Sequence, residues 1–469
     1  MSRVLSGIGI NRPAPGGLLW VFGIMLALAP VPLASNRVWV FAWLAIGLAA
    51  LLVLALGLGL RGHQGRLTAP RLPGLPGGLL LLYAALLWLQ TGVWGGEPLS
   101  VDTHHTWQAL LQTVGYLSAF FLVMLRVQPG AGVRRVVRWL VLVGVFQALL
   151  ACLLYSMQAR YTLFYFDFDH SRRAFGTFTY HNSLANYLLM CIGLVIGLLM
   201  TGAGAARAPD TRHRWRRRLQ GALGFALSSA MRWRLMLVVM VIALVLTRSR
   251  MGNVAFVAVL LLVLLPVLAW TRQLRAKGLL LLASIVLVDV LVLGQLVGLE
   301  RVVDRLNQTA VEQPEGVHEE SLDVRSGPAQ QAWQMVQERP WLGRGAGTFY
   351  TSFPQYAGAD LRQYYDHAHN DYVQFLVEVG WLGFGLLALL VLSTLWRLLA
   401  VLRRPHSAGD RGLAVGFLMA LVAVLLQALV DFHFQIPANA LLFVVVLALS
   451  WKLRLATPLV KNHYEPNHE

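Results

Sequence analysis

Leu235-Met-Leu-Val-Val-Met-Val-Ile-Ala-Leu-Val-Leu-Thr247-Arg-Ser-Arg250-Met-Gly-Asn-Val-Ala-Phe-Val-Ala-Val-Leu-Leu-Leu-Val-Leu-Leu-Pro-Val-Leu-Ala-Trp270 sets two apolar runs on either side of a short basic turn. Neither run carries a polar stripe at helical spacing, so each reads as a helix apolar all round, which suits lipid rather than water. Similar runs fill most of the chain: of 469 residues, 57% are hydrophobic and 13% charged. Soluble domains average about 25% charged residues. An ordinary soluble enzyme is therefore excluded, and the chain reads as an all-α polytopic membrane protein. The net charge of +17 does not point to nucleic acid, because the basic residues lie in short tracts between apolar runs, where they orient a protein against the inner leaflet.

About twelve spans are expected, near residues 15–34, 38–60, 77–94, 109–125, 139–157, 183–201, 233–247, 251–270, 278–298, 372–396, 412–430 and 437–455. With the N-terminus inside, the cytoplasmic segments hold 27 of the 39 Lys and Arg. An even number of spans then puts both termini in the cytoplasm. The first run continues into the second without an Ala-x-Ala site and reads as an uncleaved span. Cys152 and Cys191 lie inside apolar runs and read as packing residues. The basic loop 202–234, with Arg212-His-Arg-Trp-Arg-Arg-Arg218, reads as a topological anchor or a contact for anionic lipid. The chain thus divides into spans one to nine (1–298), a large outer loop (299–368), spans ten to twelve (369–455) and a tail (456–469). Within the outer loop Ala329, Ala332, Trp333 and Val336 recur at helical spacing, and Pro340 with Gly343-Arg-Gly-Ala-Gly347 ends that helix in a tight loop.

Polar residues that folding alone does not place fall on the outer side. They are Arg172, Arg173, His181 and Asn182 before span six, Arg248 and Arg250 after span seven, Asp366-His-Ala-His-Asn-Asp371 before span ten, and Asp431-Phe-His-Phe-Gln435 before span twelve. A basic, histidine-bearing site open to the outer leaflet suits an anionic lipid headgroup. The uncharged part of span seven, Leu235 to Thr247, has 13 residues and reaches about 20 Å at 1.5 Å per residue. Either Arg232 and Arg234 snorkel to the inner surface, or Arg248 and Arg250 sit below the outer one. His367 and His369 would share a face on a strand but diverge on a helix, and no third or fourth metal ligand stands at a recognisable spacing. Tyr372, Phe375, Leu376 and Val379 recur with helical spacing, so His369 lies near a helix start, with Asn370 or Asp366 as the cap, and serves as a general base or a capping residue.

The string His369-Asn370, nine residues, then Gly380-Trp-Leu-Gly383 resembles the signature of the O-antigen ligase and O-antigen polymerase superfamily of bacterial inner-membrane glycosyltransferases. Arg325, Trp333, Pro340, Gly343, Gly345, Gly347 and Phe349 resemble that family's periplasmic loop. Thr247-Arg-Ser-Arg-Met-Gly252 resembles its Ser-Arg-Gly-Gly element, with Met251 in place of the first glycine, and Gly176, Phe178 and Asn182 resemble a further element. The likeness covers roughly residues 170–385. It implies a GT-C type, lipid-linked glycosyltransferase fold and a site facing the periplasm. It also implies transfer of a glycan from undecaprenyl diphosphate to an acceptor hydroxyl, with no nucleotide sugar, metal or other cofactor. The acceptor is the lipid A core for ligases of lipopolysaccharide biosynthesis, or a lipid-linked repeat for polymerases. On that reading His369 is the base and Arg173 and Arg250 hold the diphosphate, with Arg248 and Arg172 as substitutes. His367, Asn370, Arg325, His181, Asn182, Asp431 and His433 are supporting or acceptor residues. The competing expectation is a twelve-span transporter or flippase, favoured by Asp289 and Glu378 in apolar runs. Against it, the halves show no internal similarity and the large loop lies outside.

Overall fold

The computed structural model describes residues 16–61, 74–92, 95, 97–159, 161–162, 165–166, 173–201, 229–270, 283, 322–358, 365–403 and 407–454. These residues are helical apart from connecting turns and a small ladder that pairs Tyr161 with Phe166 and Thr162 with Tyr165. The helices are α1 (Gly16–Leu28), α2 (Val38–Arg61), α3 (Gly74–Gln90), α4 (Thr103–Arg126), α5 (Ala131–Ser156), α6 (His181–Met200), α7 (Ser229–Leu246) and α8 (Arg250–Val259). After α8, a π turn at Leu260–Leu264 leads into α9 (Leu265–Trp270). They are followed by α10 (Leu322–Glu338), α11 (Phe349–Ser352), α12 (Asp371–Arg403), α13 (Ala408–Gln427) and α14 (Pro437–Lys452).

Among the described residues, seven helices are long and apolar enough to cross a membrane, and α1, α3 and α14 are shorter apolar helices. The chain is thus a polytopic, helical membrane protein. The expected ninth span, 278–298, with Asp289, lies outside the described residues except for residue 283; each other expected span falls on a helix. Two boundaries differ from expectation for local reasons. α4 starts at Thr103 rather than near 109, because Asp102 caps it and accepts from His105 N at 3.2 Å. α7 starts at Ser229 and takes in Arg232 and Arg234, so its 18 residues reach about 27 Å. The helix thus continues through both arginines, as the alternative in which Arg232 and Arg234 snorkel to the inner surface requires.

The tightest pair in the bundle is α6 with α13. Gly193 and Gly197 on one helix meet Gly412 and Gly416 on the other, a small-xxx-small pattern on both sides. A Cβ on Gly416 would stand 2.6 Å from Gly193 O, and one on Gly412 would stand 2.6 Å from Thr201 N. Only glycine permits this backbone approach. α6 is accordingly buried along nearly its whole length.

A smaller core unites Ala332, Met335, Val336, Phe349, Phe353, Tyr365, Ala368, Leu376 and Val377. Its residues come from α10, from α11 and the turn after it, and from the segment that leads into α12 with the first turns of that helix. The expected α10 is present, but its buried face runs through Pro328, Ala332, Met335 and Val336, and Trp333 is 43% exposed. The expected tenth span is likewise broken, because α12 is interrupted at Gly380, where φ is 62° and ψ −173°. The loop 340–345 enters the break and takes over its backbone hydrogen bonds. Arg344 N donates to Val377 O at 2.9 Å and Gly345 N to Glu378 O at 2.9 Å, while Trp381 N donates to Pro340 O at 2.7 Å and Leu382 N to Trp341 O at 3.1 Å. The orphan carbonyls of one half-helix and the orphan amides of the other are thus satisfied by one loop. Leu376 and Val377, before the break, belong to this smaller core, and the apolar helix continues beyond it from Trp381 to Arg403.

Candidate functional site

Four segments that the sequence places on the outer side come together at one end of the bundle. α6 opens with His181 and Asn182. Asn182 Nδ2 donates to Asp431 Oδ2 at 2.8 Å and to the Tyr180 hydroxyl at 2.7 Å. Asp431 follows α13, so the glycine seam between α6 and α13 delivers both partners to the same place. The Asp431 carboxylate is 2% exposed and also accepts from Phe432 N at 3.0 Å. Two histidines flank it, His369 with Nδ1 at 3.9 Å and the buried His433 with Nε2 at 4.0 Å.

His369 precedes the cap of α12 and holds a left-handed backbone, φ 50°, an uncommon conformation for a side chain of this size. Asn370 is the cap that the sequence left open between it and Asp366: its Oδ1 accepts from Val373 N at 3.1 Å, and its Nδ2 donates to Leu429 O at 2.9 Å. Because both histidines stand before the helix, the divergence expected of a helical His-x-His does not apply. His367 stacks on Phe432 with centroids 4.3 Å apart, while His369 meets the same ring edge-on at 5.0 Å. Gln374 Nε2 donates to His367 Nδ1 at 3.3 Å and to Glu378 at 3.0 Å. Burial, with His369 beside it, pushes the His367 imidazole down to about 4, so His367 is neutral at pH 7 and carries its proton on Nε2. Among the described residues no three His, Cys, Asp or Glu side chains are placed to hold one metal ion.

The basic half of the site adjoins this cluster. Arg173 Nη1 donates to His181 Nε2 at 2.9 Å. Ala174 N donates to Leu246 O at 3.0 Å, which sets the Arg173 segment beside the turn Thr247-Arg-Ser-Arg250. In that turn Ser249 caps α8 by accepting from Gly252 N, and Arg248 and Arg250 are exposed. Arg172 lies outside the described residues, and Arg325 falls in α10.

Two residues that sequence reasoning passed over belong here. Tyr180 stacks nearly parallel to Phe432, with 5.6 Å between centroids and 8° between planes. Their adjacency to His181 and Asp431 was the available signal. Glu378 takes a different part from the ion-path residue expected of a transporter. It accepts from Gly347 N at 2.9 Å, above the break at Gly380, and so anchors the glycine loop in the outer core.

Chemically, the arrangement offers guanidinium groups next to a buried carboxylate–histidine pair, with aromatic faces between them. No curated protein matches the sequence. The family model described as O-Antigen ligase matches residues 235–388, a stretch that runs from α7 through the basic turn and the glycine loop to His369 and the first half of α12. Over residues 235–388 the chain is thus similar to the O-antigen ligase family.

Proposed function

We propose that the protein is an O-antigen ligase of the bacterial inner membrane. On this reading it transfers a glycan from undecaprenyl diphosphate to a hydroxyl of the lipid A core at the periplasmic face, without a metal. The observation that carries this is the meeting of His369, Asp431 and Asn182 beside the segments of Arg173 and Arg250. Asp431 faces Nδ1 of His369, which leaves Nε2 for the acceptor. Nε2 takes the acceptor proton as the hydroxyl oxygen bonds to the anomeric carbon, and Asp431 stabilises the imidazolium that forms. The bond from the anomeric carbon to the phosphate oxygen breaks on the opposite face, and its electron pair leaves with the diphosphate. Arg173 and Arg250 hold that leaving group with paired donors, and attack from the far side inverts the sugar. His181 fixes the Arg173 guanidinium, and the rings of Tyr180, Phe432 and neutral His367 give a sugar an apolar surface.

The test is transfer and donor binding by His369→Ala in purified, membrane-reconstituted protein. Loss of transfer with donor binding kept supports the assignment; loss of both makes His369 a phosphate ligand, and full transfer removes it from the mechanism. In a deletion strain, full-length glycan stranded on the carrier supports a ligase, whereas single repeats overturn that reading in favour of a polymerase.

A further inference from the structure

A second group of titratable side chains lies at the same end of the bundle, outside the site above, and its α4 residues lie outside the residues matched by the family model. At the start of α4, His105 Nδ1 stands 2.8 Å from Asp102 Oδ2, and His104 Nε2 stands 2.7 Å from Gln108 Nε2. The two imidazoles meet edge-on at 5.6 Å, and the ring of Tyr350, 43% exposed, lies 6.3 Å from that of His105. Capping α4 requires only the carboxylate of Asp102 and the amide of His105. The ring of His105 and the His104–Gln108 pair exceed that need, and they remain at least partly exposed.

Their chemistry narrows the ligand. Burial raises the Asp102 carboxyl, but the hydrogen bonds and charge of His105 outweigh it and hold the group below its usual range, so it stays anionic and disfavours phosphate. Asp102 Oδ2 engages Nδ1 of His105, which leaves Nε2 as the second polar atom of a partly exposed ring. Gln108 offers both a donor and an acceptor, and Tyr350 offers a ring face. Alternating acceptors and donors beside an aromatic face suit the hydroxyls and C–H faces of a sugar. The cluster is also built into the frame of the first site. Val101 N donates to Arg344 O at 2.8 Å and Thr106 Oγ1 to Ala346 O at 3.0 Å. From α11 a row of rings, Phe349, Phe353 and Tyr365, leads to His369. Exposed Trp107 one turn further along α4 is the kind of side chain that marks the membrane–water interface.

We infer that His104, His105, Gln108 and Tyr350 form a carbohydrate subsite that takes neutral sugars of a membrane-anchored glycan while another part of that glycan, or its partner, reacts at His369. The inference builds on the transferase reading, but its test does not require transfer. Full-length protein in nanodiscs is titrated with two water-soluble probes, the deacylated core oligosaccharide of lipopolysaccharide and the repeat oligosaccharide released from the carrier diphosphate. Wild type and His369→Ala are expected to bind one probe equally, and His104→Ala and Tyr350→Ala to bind it about three- to tenfold more weakly each. Both substituted side chains are exposed, so insertion is retained. The probe that binds identifies the acceptor or the donor as the source. Binding of neither probe by wild type, or unchanged binding by both variants, overturns the subsite. Binding that depends on His104 and Tyr350 in a protein without transfer activity keeps the subsite and overturns the transferase reading.

Discussion

Asp431→Asn tests the electrostatic core of the mechanism while leaving its shape alone. The carboxamide is nearly isosteric; its single oxygen keeps the bond that Oδ1 accepts from Phe432 N, and its NH2 group replaces Oδ2 and pairs with Asn182 only once that amide flips to present its oxygen. What disappears is a charge 3.9 Å from His369 Nδ1. At that separation, with an effective dielectric of about 20, two unit charges interact by about 4 kcal/mol. The His369 side chain is 23% exposed, so solvent screens part of this interaction. Because the imidazolium exists only once the acceptor proton has moved, the loss falls on the transition state and not on the ground state. Turnover is therefore expected to drop about 100- to 1,000-fold, with donor affinity within twofold of wild type. The assay is steady-state transfer from a carrier-linked donor to a lipid acceptor in nanodiscs, with donor binding measured on the same preparation. Turnover within threefold of wild type would refute the pairing of Asp431 with the base. An equal loss of donor binding would mean that Asp431 shapes the binding site instead.

Gly380→Ala is expected to destabilise the protein by about 3–5 kcal/mol, combining a conformation essentially reserved for glycine with a Cβ placed 2.4 Å from Trp341 C and O; an unchanged melting temperature would refute the joint. Arg250→Lys keeps the charge but loses the planar fork, so transfer should fall while insertion is kept, and wild-type transfer by both Arg173→Ala and Arg250→Ala would remove the diphosphate clamp. His367 binds a proton more readily in the unfolded chain than in the native one, so its contribution to stability is present above about pH 6.5 and is lost as pH falls toward 4. The thermal stability of His367→Gln should depend less on pH across that window, and an unaltered profile would contradict the burial of a neutral imidazole. In a background without Cys152 and Cys191, a cysteine replacing Tyr350 should react with an impermeant reagent from the periplasm, and one replacing Arg403 only after lysis.

The helices were legible because lipid leaves the backbone few choices: every amide must be paired within its own segment, so an unbroken apolar run is read as a helix. The Arg173, His181, Asn182, Asp431 and His369 constellation was legible for the converse reason, since polar residues at the ends of such runs have no packing role to explain them. The break at Gly380 was hidden. Val379-Gly-Trp-Leu-Gly383 continues the apolar pattern on both sides, and the loop that fills the gap lies some forty positions upstream, a pairing that no local period reveals. Tyr180 and Phe432 were passed over because an aromatic residue near a span end is ordinary in a membrane protein, and only their stacking distinguishes them.

Gly193, Gly197, Gly412 and Gly416 touch no substrate, yet they set the spacing at which Asn182 meets Asp431. α6 and α13 behave as two rods joined along their length, so a methyl group forced into the seam must move one rod away from the other, and the rods carry that displacement to their outer ends. The 11 residues from Asn182 to Gly193 span about 16 Å of helix, too far for direct contact but short for a stiff element. A hydrogen bond of 2.8 Å tolerates little stretching before it is lost. In a mutational survey scored by activity, alanine at these glycines would therefore appear among the site residues, although the side chains at fault lie far along the helices from the site.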